Sequence, residues 1–125
     1  MSASVLWLDT EHAKVFKISA DAVEKKEVKL HGMSHSNNKQ ETHKDNLEQH
    51  FFKEVCSTIG KVEELLVFGP GMAKTHFRTF LEKNHKHDLY KNLVGVEPLD
   101  SLTDNQILES SRKFFKKIHQ FTHPF

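Results

Sequence analysis

Two hydrophobic rhythms divide this chain. Short dense apolar runs occupy its first thirty positions, and beyond position 42 apolar residues recur every three or four places. Positions 4–9, Ser-Val-Leu-Trp-Leu-Asp, form a compact run rich in strand-forming residues. Positions 13–18, Ala-Lys-Val-Phe-Lys-Ile, mix polar and apolar residues in alternation, and only Thr10, Glu11 and His12 separate the two runs. So short a polar break predicts an antiparallel hairpin. Positions 24–30 continue the mixed pattern after a turn near Asp21, with Val28 and Leu30 expected on one face. The start of the chain therefore predicts a three-stranded meander.

Positions 31–42 hold almost nothing that would enter a core, and a polar loop of this length in a small domain calls for a reason. From Thr42 the period changes to four, through Leu47, Phe51, Val55 and Ile59, which draws one apolar stripe along a helix. Thr42 is the expected N-cap and Gly60 the expected stop. Positions 64–69 form a continuous apolar run between helices, the mark of a strand buried on both faces in a parallel arrangement. Pro70 and Gly71 end it. A second helix follows with Phe77, Phe80 and Leu81 inward and Lys74, Arg78 and Lys83 outward, ending near Asn84. A polar turn at 85–88 leads to a strand at 92–96. Thr103 and Gln106 have capping-box spacing and open a last helix with Ile107, Leu108, Phe114, Phe115 and Ile118 inward. Phe121 and Phe125 are expected beyond that helix.

The predicted order is β-β-β-α-β-α-β-α, an α/β fold with one mixed five-stranded sheet. Residues 1–125 are read as a single domain whose last seven positions, 119–125, form a basic and aromatic tail. Composition changes this picture little. At 125 residues, 37% hydrophobic and 28% charged, the chain is long enough for a core without cross-links. Cys56 is the only cysteine, which excludes an internal disulfide and a multi-cysteine metal site. With no signal-peptide pattern and no apolar run of spanning length, a cytoplasmic protein with no membrane partner is expected.

The net charge of +1 excludes a uniformly basic nucleic-acid binder. The charge is uneven, however. Arg112, Lys113, Lys116 and Lys117 stand without an acid in 111–125, just after the acidic stretch of Glu97, Asp100, Asp104 and Glu109. Bases interleaved with Phe suit phosphate neutralisation and stacking, and equally suit an amphipathic helix whose lysines are solvated. Of ten histidines, His31 with His35 and His119 with His123 have ligand-like spacing, but no cysteine or acid accompanies them at a telling distance. No metal and no cofactor is expected. The Gly69-Pro70-Gly71 turn lacks the glycines and the Gly-Lys-Ser/Thr ending of a phosphate loop. Ser34, His35 and Ser36 are neighbours in a loop without a nucleophile elbow.

With that element order the chain resembles the middle domain of archaeal and eukaryotic class-1 release factors and of Pelota proteins, and more closely the bacterial relatives of that domain. The carriers are Val5-Leu-Trp-Leu-Asp9 with Ala13-Lys-Val-Phe16, Lys29-Leu-His-Gly32 leading into the polar loop, the helix from Thr42, and Leu65-Leu-Val-Phe-Gly-Pro-Gly71 before the helix of Lys74, Phe77 and Leu81. The resemblance covers about positions 4–118. It implies a ribonuclease-H-like sheet and a component of the translational machinery. In release factors the polar loop carries Gly-Gly-Gln, which places a water at the peptidyl-tRNA ester. Here the corresponding stretch is Ser36-Asn37-Asn38-Lys39-Gln40, and a register that keeps Gln40 sets Asn38 and Lys39 where glycines belong. Glycine reaches backbone conformations that Lys39 resists. Pelota-type relatives also lack the tripeptide and bind stalled ribosomes.

The resemblance thus implies a non-catalytic domain that binds the ribosome, tRNA or another RNA, in ribosome rescue or stress. Its expected binding residues are His35, Asn38, Lys39, Gln40 and Lys44 of the 31–44 loop, together with the basic tail. One alternative is a small hydrolase, a peptidyl-tRNA esterase or a nuclease, that uses the same loop. Another is a protein-interaction module that forms a homo-oligomer through its C-terminal tail.

Overall fold

The apolar run that opens the sequence becomes the middle of the sheet. The computed structural model describes residues 2–30 and 41–122, with the side chains of 41–45 and 120–122 outside the description. Strand β1 (Ala3–Leu8) pairs antiparallel with β2 (His12–Ile18), which pairs antiparallel with β3 (Val23–Lys29). Helix α1 (Glu41–Ile59) returns the chain to β4 (Glu64–Gly69), which lies parallel to β1 on its other side. Helix α2 (Ala73–Asn84) leads to β5 (Leu93–Pro98), parallel to β4, and helix α3 (Asp104–Thr122) completes the order. The five strands run β3-β2-β1-β4-β5. The mixed sheet, the element order and the parallel position of 64–69 are as the sequence predicts.

Alternation along the strands divides the core in two. Leu6, Leu8, Ala13, Val15, Val28, Leu65 and Val67 face α1 and α2 and pack with Phe51, Phe52, Val55, Ile59, Phe77, Phe80 and Leu81. Val5, Trp7, Phe16, Leu66 and Phe68 face the opposite way and pack with Ile107 and the half-buried Phe114 and Phe115 of α3. Helices therefore cover both faces of the sheet. β1 and β4 are buried on both, which is why they read as unbroken apolar runs.

Local chemistry sets the ends of the elements. Gly60 takes φ 68°, a left-handed conformation that glycine adopts without a Cβ penalty, and its N–H donates to Cys56 O at 3.0 Å. At the start of α3, Gln106 N–H donates to Thr103 Oγ1 at 3.2 Å while Thr103 N–H donates to Gln106 Oε1 at 3.1 Å, the reciprocal capping box that the spacing predicts. Gly69 passes so close to β1 that a Cβ there would overlap the carbonyl oxygen of Leu8.

Several boundaries differ from the sequence expectation, among them four at the ends of α1, β5, β3 and α3. Helix α1 starts at Glu41, which puts Thr42 inside its first turn instead of at the cap. β5 starts at Leu93 because Asn92 serves as a tie before the strand: its Nδ2 donates to Val62 O at 2.9 Å and its carbonyl accepts from Leu65 N–H at 2.9 Å. Leu30 follows β3 and packs half-buried against the core from outside the strand. Helix α3 continues through Phe121 to Thr122, so the tail begins later than position 119.

Cys56 is 5% exposed, and burial, with the nearby Asp88 charge, pushes its thiol up to about 12. It is a core filler and not a nucleophile.

An ion-pair cluster ties α3 to the meander. Asp104 Oδ2 accepts from Lys25 Nζ at 2.7 Å and its Oδ1 from Lys14 Nζ at 3.3 Å. The Lys25 hydrogen bond, helped by Lys14, holds the Asp104 carboxyl below its ordinary value of 3.8. Solvent reaches the cluster, so its contribution is modest, and Asp104 also benefits from the first turn of α3. Asp104→Asn should cost about 1 kcal/mol at neutral pH. A carboxylate whose folded value is depressed contributes above its unfolded value and loses that contribution as pH falls through the folded one. Urea unfolding should therefore show the gap between Asp104→Asn and the parent closing in acid below 3.8. A gap that stays constant into acid would mean the carboxylate charge is not its source.

Candidate nucleic-acid interface

All strands but β2 run the same way, so β1, β3, β4 and β5 deliver their carboxyl ends to one end of the sheet. The polar loop departs from that end. Leu30 N–H donates to Glu11 O at 2.8 Å, which fixes one foot of the loop beside the β1–β2 turn, and Glu41 is the other foot, at the start of α1. His35, Asn38, Lys39 and Gln40 lie outside the described residues. Lys44 lies in the first turn of α1, with its side chain likewise outside the description.

The basic residues occupy a different place. Helix α3 starts at the carboxyl end of the sheet, where Trp7 Nε1–H donates to Leu99 O at 3.1 Å and Asp100 O at 3.2 Å. It finishes about 28 Å away, where His119 Nε2 meets both Glu64 carboxylate oxygens at 3.1 Å, beside the first residue of β4. Arg112, Lys113, Lys116 and Lys117 are all exposed on its outer side. Arg112 Nη1 pairs with Glu109 at 3.1 Å, whereas among the described residues Lys113, Lys116 and Lys117 make no ion pair. Three adjacent cations thus stand in solvent on one helix surface.

The interleaved aromatics do not share that surface. Phe114 and Phe115 turn inward, edge to face at 6.2 Å, and cover the sheet. They are packed core residues, and the amphipathic account of this segment is the correct one for these two rings. Gly95 makes the fit possible, since a Cβ there would stand 2.5 Å from the Phe114 ring.

The described ends of the loop and the α3 lysines stand apart. The feet of the loop lie at the carboxyl end of the sheet, and α1 covers one face. The lysines lie farther along α3, on the other face.

Other candidates resolve locally. Lys74 Nζ folds back onto Gly71 O at 2.6 Å, which closes the Gly69-Pro70-Gly71 turn on itself. His119 is engaged with Glu64, a partner that no sequence spacing marks, and His123 lies outside the described residues. No group of three or more His, Cys, Asp or Glu with metal-holding geometry occurs among the described residues. No described helix is long and apolar enough to cross a membrane.

No family model and no curated protein matches the sequence. Solved structures do. Pelota from Archaeoglobus fulgidus matches with a TM-score of 0.64 at 23% identity, over 90% of this chain and 31% of that one. Pelota from Thermoplasma acidophilum matches with a TM-score of 0.63 at 16% identity, over 87% of this chain and 31% of that one. An archaeal translation termination factor matches with a TM-score of 0.61 at 16% identity, over 98% of this chain and 42% of that one. The fold is thus that of a release-factor- and Pelota-like domain, and the chain spans 31% to 42% of the length of these proteins.

Proposed function

We propose that this chain is a non-catalytic, ribosome- or RNA-binding domain of the translational apparatus that acts in rescue or stress. The observation that carries the proposal is a fold shared over nearly the whole chain with Pelota and with an archaeal translation termination factor. In this reading the 31–44 loop, with His35, Asn38, Lys39, Gln40 and Lys44, makes one contact. Arg112, Lys113, Lys116 and Lys117 make a second. Separation of the loop's described ends from the lysines favours an extended polyanion as the partner. Gln40 without its glycines is a contact residue in this reading, not a water-positioning one.

The test is co-sedimentation with ribosomes across a salt series. Binding should weaken as salt rises, and each phosphate-neutralising lysine contributes about one unit to the slope of log affinity against log salt. Lys113, Lys116 and Lys117 changed together to Gln should flatten that slope by about three units at most and leave the fold intact, since all three are exposed. Absence of ribosome and RNA association even at low salt would sink the proposal. An unchanged slope in the triple variant would remove α3 from the interface.

A further inference from the structure

The two edges of the sheet are built differently. β3 shields its edge with charge, reading Val-Glu-Lys-Lys-Glu-Val-Lys with Val28 as its single buried residue. Such residues deter edge-to-edge pairing. β5 is the other edge, and its first four residues, Leu93, Val94, Gly95 and Val96, are uncharged and half-exposed. A groove of about 440 Å³ runs along them, bounded by Arg78 and Tyr90.

The backbone polarity of this edge follows from the ladder. Asn92 O accepts from Leu65 N–H, and Leu99 N–H donates to Gly69 O, so residues 92 and 99 turn their polar groups toward β4. Alternation from each end then turns Leu93 and Val96 outward, on either side of the irregularity between Leu65 and Leu66. Leu93 N–H is taken up by Tyr90 O at 3.1 Å, whereas the Leu93 carbonyl and the Val96 N–H and carbonyl face the groove with no strand beside them.

Cations stand above and below the groove. On one face the Arg78 guanidinium lies over the Tyr90 ring at 5.9 Å, free of an ion pair among the described residues. On the other face the Phe114 ring lies over Gly95, and the exposed Lys117 follows one turn later, at the solvent-facing margin of the stripe that Phe114 belongs to. A second copy paired β5 to β5 would bring these cations against their own kind. An acidic strand would not.

We propose that the free edge of β5 takes an extended acidic peptide segment of another protein as a sixth strand, with carboxylates directed to Arg78 on one face and Lys117 on the other. The main chain of the peptide hydrogen-bonds the Val96 N–H and carbonyl and the Leu93 carbonyl, and the charges select it.

The experiment uses the full chain and two short fluorescein-labelled peptides, one alternating Glu with Val and one alternating Lys with Val. Anisotropy should show binding of the acidic peptide only. Amide hydrogen exchange should slow at Val96, and Arg78→Glu combined with Lys117→Glu should weaken binding by about tenfold or more. Both substituted residues are exposed, so circular dichroism of the double variant should match that of the parent. Equal binding of the two peptides, protection at β3 instead of β5, or no binding of the acidic peptide would each overturn the proposal. So would a mass that doubles with concentration while the Val96 amide is protected without peptide, because the occupant would then be a second copy.

Discussion

Phe77→Ala should lower the stability of the fold by about 3–5 kcal/mol, the usual range for removal of a large buried ring. Phe77 is fully buried. It meets Phe52 of α1 edge to face at 5.2 Å and stacks near Phe80 at 6.4 Å, so it joins both helices of one layer to the sheet. Three aromatic rings on two rigid helices collapse poorly around a void, which places the cost toward the upper part of that range. Urea unfolding at neutral pH measures it, and the melting temperature should fall by about 10–20 °C. A loss below about 1 kcal/mol would show that α1 and α2 pack loosely enough to close the gap. The lysines of α3 lie on the opposite layer, so their share of the salt dependence of ribosome binding should persist in the folded fraction of the variant.

Gly69→Ala should cost about 1–3 kcal/mol, by overlap instead of by cavity. The obstacle to a Cβ is the carbonyl oxygen of Leu8, a backbone atom of the neighbouring central strand, which does not swing aside as a side chain does. Relief requires β1 and β4 to part at their carboxyl ends, close to the feet of the polar loop. Gly71→Ala is the matched control. Nothing lies within 4 Å of a Cβ built there, and its change should stay within about 0.5 kcal/mol. Equal effects of the two substitutions in urea unfolding would refute the close-approach account.

Much of the architecture was legible because local and tertiary preferences agree in it. The continuous apolar run Leu65-Leu66-Val67-Phe68 could only be a strand covered on both faces, and it is. Gly60 and the Thr103–Gln106 pair announced helix ends by chemistry confined to a few residues. Boundaries set by distant partners were not legible. Asn92 ends a turn because Val62, thirty residues away, accepts its amide. Thr42 does not cap α1 because the helix already begins at Glu41.

The candidate interface divides along similar lines. Exposure of Lys113, Lys116 and Lys117 follows from helical period alone, and so does the inward turn of Phe114 and Phe115. That β5 is a bare edge flanked by Arg78 and Lys117 was not legible, because strand order is a property of the assembled sheet and the two cations come from different helices. The spacing of His119 and His123 carries no mark of the observed partner of His119, Glu64, which stands fifty-five positions away.

The position of the first strand has a consequence for how the molecule is made. β1 lies at the centre of the sheet, and one of its two neighbours, β4, begins sixty-one positions after β1 does. While the polypeptide emerges from its own ribosome, the meander assembles early from nearby pieces, but the apolar backbone flank of Val5, Leu6 and Trp7 stays unmatched until residues 64–69 arrive. Closing so long a span is entropically slow, and an uncovered apolar edge invites the wrong neighbour in the meantime. Biogenesis of this chain is therefore most vulnerable before β4 has cleared the exit tunnel.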